Sequence, residues 1–118
     1  DAGNIKVSTP ELTALDLLYY NKNIGINNTA TILKELMAEI KPAELIKTAK
    51  RYPQVAAIQK LGYLLDRGIG NEKLADALTK ALNNKKIFPV ALSNQKNKNA
   101  DIDEKWKVIK NVQIESDL

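Results

Sequence analysis

Lys47, Lys50 and Arg51 are spaced so that a helix would set three cations on one face, and Lys60 and Arg67 follow at another helical spacing. A cationic stripe of this kind could hold phosphate groups by releasing their counterions. These five residues are the candidate nucleic-acid-binding set. Against them stands the ordinary solvated polar face of a helix, and a net charge of +4 over 118 residues is modest. Among carboxylates, Asp16 is the most unusual because it sits inside the apolar run Leu15 to Leu18. It reads as a carboxylate at the edge of a buried face, bonded to backbone or to a basic group, before it reads as a catalytic acid. Asp101, Asp103 and Glu104 cluster, but they lack the glycine and terminal glutamate of a calcium loop and read as a solvated loop. Enzymatic chemistry would have to draw on Asp16, Tyr63 or a lysine. The chain has no cysteine and no histidine. That excludes thiolate and imidazole catalysis, disulfides and most zinc sites. GxxxxGK[ST], GxGxxG after a strand, HExxH and DxDxDG are all absent. The expectation is therefore no catalytic residue, no metal and no cofactor.

The elements that must position these groups follow from periodicity and punctuation. Ile5 to Val7 alternates as a short strand would. Ser8 or Thr9 can then cap a helix whose first residue is Pro10, with Glu11 favourable at the positive end of the dipole. Leu12, Leu15, Leu18 and Tyr19 mark its inner face, and the helix should end near Tyr20. Asn28 can cap a second helix with the stripe Ile32, Leu33, Leu36, Met37 and Ile40. Pro42 stops it and opens a third, where Leu45, Ile46 and Ala49 face inward while Lys47, Lys50 and Arg51 face outward. Pro53 opens a fourth, with Val55, Ile58, Leu61, Gly62 and Leu65 inside and Gly62 allowing a second helix to approach closely. Gly68 and Gly70 end it. Asn71 caps a fifth, built on Leu74, Ala77, Leu78, Ala81 and Leu82.

After Asn83-Asn84 the pattern changes to strands. Ile87 to Leu92 and Trp106 to Lys110 are short and rich in β-formers, Pro89 puts the first at an edge or a bulge, and Val112 to Glu115 can extend the second. Ser93 to Glu104 reads as a long hairpin loop between them. Trp106 anchors the strand in the core, and Tyr19, Tyr20, Tyr52 and Tyr63 read as residues at the core boundary. The fold class is α+β, about five helices followed by a small antiparallel sheet in one domain spanning 1–118.

Charge is uneven along the chain. Residues 1–40 carry three lysines and five acids, 41–67 six basic groups and two acids, and 80–110 eight lysines and three acids. No apolar run is long enough to span a membrane, and no signal segment opens the chain. Absence of cysteine fits a reducing compartment, so the location expected is cytoplasmic. The chain opens Asp1-Ala2-Gly3 and its one methionine is Met37, which reads as a fragment or a processed product.

Three stretches in order carry a resemblance: Val7-Ser8-Thr9-Pro10-Glu11-Leu12-Thr13-Ala14-Leu15-Asp16-Leu17-Leu18, then Gln59-Lys60-Leu61-Gly62-Tyr63-Leu64-Leu65, then Lys105-Trp106-Lys107-Val108-Ile109-Lys110-Asn111 with the closing Ile114-Glu115-Ser116-Asp117-Leu118. Together they resemble the C-terminal domain of AbiEi-type antitoxins, from type IV toxin–antitoxin systems of bacterial abortive phage infection. The resemblance implies a non-enzymatic antitoxicity domain that in the whole protein follows a winged helix-turn-helix repressor of its own operon, a part missing from this chain. It also implies a nucleotidyltransferase toxin as the antagonised partner, operator DNA as the partner of the full-length protein, and no membrane. A basic surface supplementing DNA contact would fall on the helix-face residues already named.

Overall fold

The computed structural model describes residues 9–20, 26–83, 85–92 and 100–111. Its first helix, α1 (Pro10–Tyr19), begins as the punctuation predicts: Thr9 is the cap, its Oγ1 accepting the Leu12 N–H at 3.1 Å, and Pro10 takes the first helical position. The buried stripe is Glu11, Ala14, Leu15 and Leu18, one helical face at i, i+3, i+4 and i+7. Tyr19 falls off that stripe and is exposed, contrary to its placement on the inner face.

Helix α2 (Ile26–Leu36) starts two residues before Asn28 and ends four before Ile40. A 3₁₀ turn over Met37–Glu39 follows, and Ile40 is extended. Pro42 keeps the helix from resuming, since it pushes the residue before it out of the helical region; Lys41 sits at φ −104°, ψ 131°. Pro42 then serves as first residue of α3 (Pro42–Arg51). The predicted face holds: Leu45 and Ala49 are fully buried, Ile46 is half-buried, and Lys47, Lys50 and Arg51 are exposed.

Two side-chain ties give α1 and α3 the same direction. The Lys41 N–H donates to Glu11 Oε2 at 2.8 Å at their starts, and the Tyr52 hydroxyl donates to Asp16 Oδ1 at 2.6 Å near their ends. Helix α4 (Val55–Tyr63) packs on α1, and α5 (Glu72–Leu82) packs on α3 and α4. Leu74, Ala77, Leu78, Ala81 and Leu82 of α5 are buried as predicted, and the Asn71 side chain caps it, accepting the Leu74 N–H at 3.1 Å.

Between α4 and α5 the backbone widens into a π turn, Leu64–Ile69, in which Leu65 O accepts the Gly70 N–H at 2.9 Å and the Asn71 N–H at 2.7 Å. Gly70 ends the turn at φ 83°, a conformation that favours glycine. Gly68 lies within the turn and does not end the helix.

The sheet is small and mixed. Strands β1 (Val90–Ala91), β2 (Ile102–Asp103) and β3 (Val108–Ile109) lie in the order β1-β3-β2, with β1 parallel and β2 antiparallel to β3. The α+β class stands, but the antiparallel pairing predicted between residues 87–92 and 106–110 does not. Ile102–Asp103, predicted as loop, takes the antiparallel position, because it reaches β3 through a turn of four residues. Closing so short a loop costs less entropy than closing the long one from β1. Pro89 is exposed beside the edge strand β1 as predicted. Trp106 and Lys107 belong to the turn, with Lys107 at φ 53°. The expected strands at 5–7 and 112–115 lie outside the described residues. Among the described residues no helix is long and apolar enough to cross a membrane.

Candidate nucleic-acid interface

The carboxylates resolve first: Asp16, Asp66 and Asp103 are structural ties, while Asp101 and Glu104 are exposed as expected. Asp16 bonds the Tyr52 hydroxyl, where backbone or a basic group was expected. Asp103 is not solvated: it is buried, its Oδ2 accepts the Trp106 N–H at 2.9 Å and its Oδ1 accepts Arg67 Nε at 3.0 Å. Asp66, beside Arg67 on the π turn, accepts Trp106 Nε1 at 2.9 Å and pairs with Lys105 Nζ at 3.2 Å. The Trp106 hydrogen bond, aided by Lys105, holds the Asp66 carboxyl below its ordinary range despite partial burial. Consecutive residues of the wide turn thus grip the β2–β3 turn from above. Trp106 is 1% exposed and lies flat against Gly62, so the glycine admits an aromatic ring where a second helix was expected. Gln59 completes the attachment, its buried Nε2 donating to Phe88 O at 2.8 Å and Trp106 O at 2.9 Å. No group of three or more potential metal ligands gathers among the described residues.

The five predicted cations divide. Arg67 is bonded to Asp103 on the π turn, and Lys60 is half-buried on α4. Helix α4 is not among the close neighbours of α3, which packs on α5 and α1. Lys47, Lys50 and Arg51 remain together on the exposed face of α3. Lys47 lies 3.7 Å from Glu44, an exposed pair that contributes little.

Sequence reasoning missed what joins them. Lys85, three residues beyond α5, reaches Lys50 O at 3.4 Å in the last turn of α3. A cation there complements the negative end of the helix. The carboxyl ends of α3 and α5 are thereby tied together, and Tyr52, two residues from Lys50, ties the end of α1 to them through Asp16. At that end of α1 stand Tyr19 and Tyr20, 40% and 69% exposed, their rings edge to face at 4.6 Å between centroids. Tyr52 and Tyr63 are buried at the core boundary as predicted, while Tyr19 and Tyr20 are surface residues.

Two long stretches of sequence lack acids, between Glu44 and Asp66 and between Asp76 and Asp101, although Asp16 lies near the end of α1 and Glu44 beside Lys47. The first gap contains Lys47, Lys50 and Arg51, the second Lys80, Lys85 and Lys86, and α3 against α5 brings the two together. These acid-free gaps are the signal in the sequence that could have found Lys85. What the arrangement can do is bind anions at an exposed, aromatic-bearing end.

No curated protein and no solved structure matches the chain. A protein-family model does: that of the AbiEi antitoxin C-terminal domain matches residues 1–67, more than half of the chain. The matched segment runs from the start of the chain through α1, α2, α3 and α4 into the π turn, and so contains the Thr9 cap, the Asp16–Tyr52 tie and the basic face of α3. This chain therefore belongs to the AbiEi antitoxin C-terminal domain family.

Proposed function

We propose that this domain counteracts a nucleotidyltransferase toxin, acting as a binding or regulatory surface and not as an enzyme. The family match carries the antitoxin role. The non-enzymatic reading is supported by the work that the buried carboxylates among the described residues already do: Glu11 and Asp103 each accept a backbone N–H, and Asp103 bonds Arg67 besides. Co-expression of residues 1–118 with the cognate toxin tests the reading. Growth should be restored to the level given by a full-length antitoxin; failure of the domain alone where the full-length protein succeeds would show that it is not sufficient.

A second reading is favoured by the Lys50–Lys85 junction. The exposed α3 face, with Lys47, Lys50 and Arg51, would contact phosphates of operator DNA as an accessory to the DNA-binding part of the whole protein. Lys60 and Arg67, predicted with them, stand on α4 and its π turn and would contribute only to a second contact.

A further inference from the structure

The joined ends of α1, α3 and α5 combine two features, of which a duplex-phosphate surface requires only the first. One is the cation set Lys50, Arg51 and Lys85, in which Lys85 Nζ lies 3.4 Å from Lys50 O. The other is the Tyr19–Tyr20 pair, both residues exposed and neither part of the buried core. Tyr20 closes α1 through its N–H to Asp16 O at 2.8 Å, and the Asp16 side chain holds Tyr52, so the backbone carrying the aromatic pair is fixed against the end of α3. Lys50 and Tyr52 have Cα atoms within about 7.6 Å of each other. The Asp16–Tyr52 bond thus joins the end of α1 that carries the aromatic pair to the end of α3 that carries the cations.

We propose that this end of the molecule binds an unpaired nucleic-acid strand, Tyr19 and Tyr20 stacking on bases while Lys50, Arg51 and Lys85 hold the adjoining phosphates. In a duplex the base faces are covered by their neighbours, and only an unpaired strand offers them to a tyrosine ring. An acidic protein segment would satisfy the cations and leave the ring faces without a planar partner. The inference rests on the nucleic-acid reading above and sharpens it by naming the class of strand.

The test measures binding of the 118-residue chain to three labelled probes by fluorescence anisotropy: a 12-nucleotide RNA without self-complementarity, the same sequence as single-stranded DNA, and the corresponding DNA duplex. Both single strands should bind about tenfold more tightly than the duplex; tighter binding of RNA than of DNA would point to the 2′-hydroxyl as a further contact. Tyr20→Ala should weaken single-strand binding about tenfold and leave duplex binding and the thermal midpoint unchanged, since the ring is mostly exposed. The pair Lys50→Ala with Arg51→Ala should weaken all three and reduce the salt dependence by about two counterions. If single strand and duplex bind alike, or Tyr20→Ala together with Tyr19→Ala has no effect, the proposal is overturned while the duplex reading survives. If nothing binds even at low salt, both fall.

Discussion

The Tyr52 hydroxyl is the smallest unit on which the arrangement of helices depends. It is buried, it donates to Asp16 at 2.6 Å, and it fastens the ends of α1 and α3. Burial first, and then the Asp16 hydrogen bond and charge, hold its pKa well above the ordinary value near 10. Tyr63 is shifted the same way, by burial and Asp103. A phenol whose pKa is raised on folding contributes fully below pH about 10, where both states are protonated. That contribution is lost as pH rises further, because the unfolded phenol ionises first. Tyr52→Phe should therefore cost about 1 kcal/mol at neutral pH, leaving Asp16 without its donor. Above pH 10 the variant should lose stability less steeply than the wild type. Urea midpoints at pH 7 and at several values above 10 decide it, and parallel alkaline slopes would remove Tyr52 from the account.

At the scale of elements, the sheet is secured to α4 by a few specific contacts and very little ladder. Its strands have two residues each, so Gln59, Asp66, Arg67 and Asp103 supply bonds that longer strands would make for themselves. Gly62 matters because it sits under Trp106. A Cβ there would overlap ring atoms Cζ3, Cε3 and Cη2, and the ring cannot retreat while Asp66 holds its Nε1 and Asp103 its backbone N–H. Alanine would gain up to about 1 kcal/mol in helix propensity. Overpacking against a tethered ring costs about 1–3 kcal/mol. The overlap with three ring atoms puts Gly62→Ala at the upper end, so a net loss of about 2 kcal/mol is expected, seen as a lower urea midpoint at unchanged m. An equal or higher midpoint would mean that the ring moves freely.

For the whole molecule, the family match ends at residue 67 but the core does not. Leu74, Ala77, Leu78 and Ala81 cover α3 and α4 from α5, and Trp106, Leu92 and Val108 close the far side of α4. A fragment of residues 1–67 would expose those inner faces and is too short to bury enough area by itself. It should lack a cooperative thermal transition by circular dichroism, whereas the full chain has one. A sharp transition in the fragment would show that the matched segment is an independent folding unit. The basic end has the same dependence, because Lys85 reaches α3 only when α5 is packed beside it.

Helix punctuation was legible from the amino acids alone: a cap at Ser8 or Thr9, which the structure resolves to Thr9, Asn71 as a second cap, Pro10 and Pro42 as first residues, and the inner faces of α3 and α5. These depend on contacts within one or two turns, which residue order determines directly. The exposed cations on α3 were legible for the same reason. Which other groups would join them was not. Lys85 and Lys50 are 35 residues apart, Tyr52 and Asp16 36, Trp106 and Asp66 40, and such pairs meet only after the helices choose their neighbours. The parallel β1–β3 pairing, the burial of Asp103 and the ring seated on Gly62 belong to that second class. Sequence determined the elements and their inner faces through local geometry. Tertiary packing decided the company each charged or aromatic group keeps, because the free energy of burial is set by neighbours distant along the chain.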